Sequence, residues 1–200
     1  MFVIRSVDHC ETAARNYNEL YSRLLGRSWM TSVMDSALYF EDIETGQIWT
    51  SPRRTVTESD VVNFASTTGD FNPLHVDYDY AGQSVYRQPI AHGLLGISWV
   101  AGLGSYFPHV ATVAFSAVRN WEFTRPLYFG DTVFVETTAV EKSPAGRRRG
   151  KISWQRKLIN QRGEIVQQGI FETLVETRAV AKPRPHLDSK PVGQPKQAQA

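Results

Sequence analysis

In the C-terminal half of the chain, apolar and polar residues alternate in runs separated by turn residues. Val113, Phe115, Ala117, Arg119, Trp121 and Phe123 fall on every second position of the first run, the period that lines one face of a β-strand. Asp131 to Val140 follows a Gly130-Asp131 turn. Lys151 to Asn160 and Ile165 to Thr177 flank Gln161-Arg162-Gly163-Glu164, a hairpin signal. Thr57 to Thr67 carries the helical period instead. Val61, Val62, Phe64 and Ala65 supply its apolar face, Thr57 its cap, and Asp60 an acid in the first turn. A second short helix is predicted over Asp79 to Tyr86. A strand is predicted over Ile48 to Val56, at a sheet edge because Pro52 has no ladder donor.

The segment Gly93 to Tyr106 is apolar on nearly every side, through Leu94, Leu95, Ile97, Trp99, Val100, Ala101 and Leu103. Such a helix is expected to be buried. Gly96, Gly102 and Gly104 weaken its helix propensity, and close backbone approach to a sheet is the expected return. One buried helix followed by an antiparallel meander predicts an α+β domain, a curved antiparallel β-sheet wrapped around a long helix.

The two ends read differently. Asp8 to Leu25 fits an amphipathic helix stopped at Gly26, so residues 1–36 are expected to form an N-terminal extension. The compact domain is expected over residues 37–180. Residues 181–200 contain Pro183, Pro185, Pro191 and Pro195 and almost no apolar side chains, a composition expected to stay disordered.

Composition narrows the function classes. A formal charge of +2 over 200 residues gives no electrostatic case for nucleic acid or a membrane surface. The longest apolar stretch, Leu94 to Leu103, is about half the roughly 20 residues that span a bilayer. Residues 1–30 hold spaced charges and no signal-peptide core. Cys10 is the single cysteine and makes no internal disulfide. The expected location is the cytoplasm. No phosphate loop, dinucleotide fingerprint or metal-spaced cluster appears, so neither a cofactor nor a metal is expected.

The chemistry concentrates in Gly69-Asp70-Phe71-Asn72-Pro73-Leu74-His75. Pro73 is expected to keep this segment from being a regular helix. It brings a carboxylate, an amide and an imidazole within six positions. Asp and His together serve acid–base chemistry near neutral pH, although the same residue types also build ordinary turns. Followed by Pro89-Ile90-Ala91-His92-Gly93, Phe123-Thr124-Arg125-Pro126-Leu127 and Gly130-Asp131, the segment closely resembles the signature of the MaoC-like, or (R)-specific enoyl-CoA hydratase, family. The resemblance runs from about Tyr39 to Thr177.

That resemblance implies a single hot-dog domain. It also implies reversible hydration of a trans-2-enoyl-CoA, or the acyl-carrier thioester, to an (R)-3-hydroxyacyl thioester. By position it makes Asp70 and His75 the catalytic pair. Asn72 matches the motif asparagine, and Gly93 the glycine whose N–H faces the thioester oxygen. A homodimer is expected on the same ground. A donor at a helix N-terminus suits charge developing on that oxygen. Which of Asp70 and His75 takes the first proton is open.

Other residues weigh less. His92 reads as a cap or spacer before the helix, with direct catalysis the lesser reading. Ser98 and Ser105 read as helix-face serines. Some relatives carry a serine where Ala101 stands. Arg147-Arg148-Arg149 reads as a solvated turn that could meet CoA phosphates, and Trp99, Trp121 and Trp154 as core. A hot-dog acyl-CoA thioesterase and a non-catalytic acyl-thioester-binding subunit are the alternatives.

Overall fold

The structure, a computed structural model, describes residues 37–178. The expected N-terminal helix and the proline-rich tail lie outside the described residues.

The expected edge strand forms as two short pieces, β1 (Ile48–Thr50) and β2 (Arg54–Thr55). Both pair antiparallel with β4 (Thr132–Pro144). The break falls at Ser51-Pro52-Arg53. There the Ser51 N–H donates to the Val135 carbonyl, and the Val135 N–H donates to the Ser51 hydroxyl, each at 2.9 Å. A side chain thus replaces one backbone acceptor where Pro52 interrupts the ladder.

Helix α1 (Glu58–Thr68) starts in a reciprocal cap. The Asp60 N–H donates to the Thr57 hydroxyl and the Thr57 N–H to the Asp60 carboxylate, which satisfies two orphan donors of the first turn. Burial alone would push the Asp60 carboxyl up. The Thr57 bonds and the Arg54 guanidinium outweigh it and hold the group below 3.8. Val61 and Ala65 are buried, whereas Val62 faces solvent. The apolar stripe is therefore narrower than the sequence pattern implies.

Two short helices follow, α2 (Pro73–Val76) and α3 (Tyr78–Gln83). The segment around Pro73 was expected to be non-helical. Pro73 instead occupies the first helical position, where its missing N–H and fixed φ cost nothing. Asp77 caps α3 by accepting from the N–H groups of Asp79 and Tyr80, and that helix ends at Gln83 rather than Tyr86.

Helix α4 (Gly93–Leu103) lies on a sheet completed by β3 (Thr112–Phe123), β5 (Arg149–Ile159) and β6 (Ile165–Glu176). The strand order is β1-β4-β5-β6-β3, with antiparallel neighbours throughout. Val133, Val135, Trp154, Leu158, Phe171 and Val175 on the inner face pack with Leu95, Trp99 and Val100 of α4. Trp99, Trp121 and Trp154 all belong to or pack on this core, as expected. The expectation that α4 is buried all round is corrected. Leu94 is 61% exposed, and Ser98 and Gly102 are exposed with it. A sheet covers only one side of a helix, and the pattern of residues does not show how far it wraps.

The α4 glycines behave partly as expected. A Cβ on Gly96 would lie 2.2 Å from Nε2 of Gln167, and one on Gly104 would lie 2.8 Å from the Arg156 guanidinium carbon, whereas Gly102 has open space. Arg156 donates to the carbonyls of Val100 (3.3 Å) and Gly104 (2.9 Å). It therefore sits at the helix C-terminus, the end that favours a cation. Burial lowers its pKa to about 10.

Candidate active site

Helix α1 ends at Gly69, whose φ of +80° turns the chain sharply at little steric cost. The turn delivers Asp70 onto the surface, with 54% of its side chain exposed. Asn72 then caps α2. Its side-chain oxygen accepts from the Leu74 N–H at 3.0 Å, and its own N–H donates to the Asp70 carboxylate at 3.3 Å. The capped turn carries His75 on its third residue.

His75 is fixed from behind. Its Nδ1 lies 2.7 Å from the Ile90 carbonyl. A carbonyl only accepts, so Nδ1 carries a proton, and in the neutral form of the ring Nε2 is the atom with the lone pair. A carboxylate oxygen of Asp70 and a ring nitrogen each of His75 and His92 lie within 4.8 Å of one another. The structure thus brings the expected pair together and adds a third group, His92.

The side chain of His92 does not cap its own helix. It turns into the protein, 3% exposed, and Nε2 donates to the Asp70 carbonyl at 2.8 Å. The spacing of the three donors would suit one cation. His75 Nδ1 and His92 Nε2 are, however, already committed to carbonyls. That leaves the Asp70 carboxylate, His75 Nε2 and the buried Nδ1 of His92 without a committed partner.

Gly93 opens α4, and its N–H has no intrahelical acceptor. A Cβ at Gly93 would meet the Phe123 ring at 2.8 Å. The Gly93 carbonyl accepts from Gln167 Nε2 at 3.1 Å, and Gln167 Oε1 in turn accepts from the Trp121 indole at 3.3 Å. The helix mouth is therefore braced from β6. A 270 Å³ cavity opens beside it, lined by Tyr86, Ile90, Gly93, Phe123, Leu127 and Gln167 among others. A larger hollow of 620 Å³, lined by Gln155, Lys157 and Gln168 among others, lies on the outer face of the sheet, away from these groups.

Gln167 and Arg156 carry weight that the sequence reading passed over. Both were visible as polar residues on the inward phase of an alternating strand, among Ile152, Trp154 and Leu158 in β5 and opposite Leu158 in β6. Ser98 bonds back to the Leu94 carbonyl, and Ser105 to the Gly102 carbonyl. Arg147 and Arg148 are exposed in the β4–β5 turn. The paired residues Arg149 and Glu176 lie about 30 Å along β6 from Gln167 at strand rise. Within one chain, the arginine run is therefore far from Gly93.

Among the described residues, no helix is long and apolar enough to cross a membrane. The chain is 37% identical over 133 residues to Protein MaoC of Klebsiella aerogenes, an alignment that takes in 60% of this chain and only 40% of that protein's length. It is 33% identical over 141 residues to the (R)-specific enoyl-CoA hydratase of Rhodospirillum rubrum, covering 70% of this chain and 93% of the relative. A Mycobacterium tuberculosis protein with a double hot-dog fold superposes with a TM-score of 0.66 at 22% identity, over 74% of this chain and 47% of that one. The sheet and helix described above are thus a hot-dog fold. The model of the MaoC like domain matches residues 42–159, which takes in α1, the Asp70–His75 turn and α4, and the chain belongs to that family.

Proposed function

We propose that this protein reversibly hydrates a trans-2-enoyl thioester to an (R)-3-hydroxyacyl thioester, with Asp70 and His75 as the catalytic pair. The observation that carries the reading is the approach of the Asp70 carboxylate to the His75 imidazole, beside the free N–H of Gly93 at the head of α4. The Rhodospirillum rubrum relative is named for the same reaction, and one in Methylorubrum extorquens, 37% identical over 112 residues, is named 3-hydroxybutyryl-CoA dehydratase.

The reaction adds one water. The C2–C3 π bond breaks, oxygen bonds to C3, and a proton bonds to C2. The neutral His75 ring, with Nε2 as acceptor, suits taking the proton as oxygen attacks. Asp70 holds the same water and shares the proton with His75 until it returns to C2. Charge that builds on the thioester oxygen meets the Gly93 N–H and the positive end of α4. The acyl chain enters the cavity walled by Ile90, Phe123 and Leu127.

A homodimer fits the same reading. Leu94, Phe115 and Phe123 are 61%, 54% and 55% exposed on α4 and the edge strand β3, an apolar surface suited to a second copy.

The test follows enoyl absorbance and free thiol together, using short trans-2-enoyl-CoA substrates and the matching carrier-protein thioesters. Reversible loss of enoyl signal without thiol is the expected result. Thiol release would make the protein a thioesterase, and neither change would make it a binding subunit.

A further inference from the structure

We infer that His92 is a positioning residue for the Asp70–His75 pair, one buried ring that sets where both groups stand. The inference rests on the hydratase reading of that pair.

His92 occupies the position before α4 where Ser, Thr, Asp or Asn would stabilise the helix, yet its side chain makes no cap bond. It is buried, and its Nδ1 has no hydrogen-bond partner, a further loss for a buried polar atom. An imidazole here breaks two local rules at once, and positions of that kind are expected at functional sites.

The compensating contacts all lead to the pair. Nε2 donates to the main-chain oxygen of Asp70 at 2.8 Å and lies 3.9 Å from its carboxylate. The His92 and His75 rings stack at a centroid distance of 3.8 Å, tilted by 32°. The Phe64 ring of α1 packs on His92 at 5.1 Å, which ties the ring to the helix that delivers Asp70. The polar edge of His92 therefore holds the Asp70 turn, and its face holds the plane of His75 while Nδ1 of that ring reaches Ile90. Buried at 3%, His92 does not meet substrate itself.

Two variants separate the two contacts. His92→Phe keeps a ring against His75, loses the donor, and removes the orphan nitrogen. His92→Gln keeps an N–H close to the place of Nε2. Positioning predicts that His92→Phe melts no lower than the parent protein but loses kcat by about tenfold or more, because small misplacements are expensive in catalysis. Its KM should stay within about threefold, as expected when ground-state binding is spared. His92→Gln should recover most of the lost kcat. A kcat for His92→Phe within about twofold of the parent, or losses in both variants that track the folded fraction, would overturn the inference. A second readout needs no turnover. In 15N spectra of the imidazoles, His75 should show one Nδ1–H tautomer in the parent protein and a mixed or shifted signal in His92→Phe. An unchanged His75 signal would overturn the positioning role, whereas a parent protein inert toward enoyl thioesters would count against the hydratase reading alone.

Discussion

The side-chain amide of Gln167 occupies the space that a side chain on Gly96 would need, 2.2 Å from the ideal Cβ position. Gln167 is 2% exposed and bonded at both ends, to the Gly93 carbonyl and the Trp121 indole. Moving the amide aside would therefore break both bonds.

Gly96→Ala should consequently push Gln167 off the Gly93 carbonyl and destabilise the fold by about 2 kcal/mol, the usual scale for overpacking. Urea unfolding measures this. Gly102→Ala is the control, because a Cβ there meets nothing within 4 Å; replacing that helical glycine should leave stability equal or slightly higher.

Asn72 acts here as the cap of the turn that presents His75. Asn72→Ala should cost about 1 kcal/mol by loss of the cap and lower kcat more than it lowers stability. Asn72→Asp keeps the acceptor and should retain both. Equal activity in the Ala and Asp variants would show that the cap does not support the site.

The α1 cap gives a pH dependence. Asp60 is held below its ordinary value in the folded protein, against the push of burial, by Thr57 and Arg54. Its folded pKa is thus lower than its unfolded one. The stability it adds is present above the ordinary value of 3.8 and is lost as pH falls through the lower folded value. Asp60→Asn should be less stable than the parent at pH 6, with the gap closing as the pH is lowered toward 3. A gap independent of pH would contradict the assignment.

Much of this fold was legible because its elements carry strong local signals. The β5–β6 hairpin, the Thr57 cap and the span of α1 follow from strand period, turn residues and capping chemistry. Two features were not. Where the Ile48–Val56 strand breaks at Pro52, the Ser51 hydroxyl stands in for a ladder acceptor, a contact spanning 84 positions. The exposure of Leu94 depends on how far the sheet wraps α4, which is tertiary information. The site divides similarly. Asp70, Asn72 and His75 lie in one short motif, and Gly93 follows in another. That the ring of His92 leaves its own helix to hold the Asp70 turn is visible only once both segments are placed.

The apolar surface along β3 gives a prediction about assembly. Phe115→Glu should shift the protein from dimer to monomer in light scattering, since it puts a charge into a surface expected to be desolvated. A parent protein that is monomeric at micromolar concentration would remove this part of the account.

The most direct measurement compares kcat/KM for hydration of a short trans-2-enoyl-CoA among the parent protein, Asp70→Asn and His75→Gln, with folding of each verified by its melting profile. Each variant should lose about 100-fold or more, the scale of a missing proton-transfer group, with its melting profile preserved. Near-parent hydration by either folded variant would contradict the assignment of the reaction to this pair.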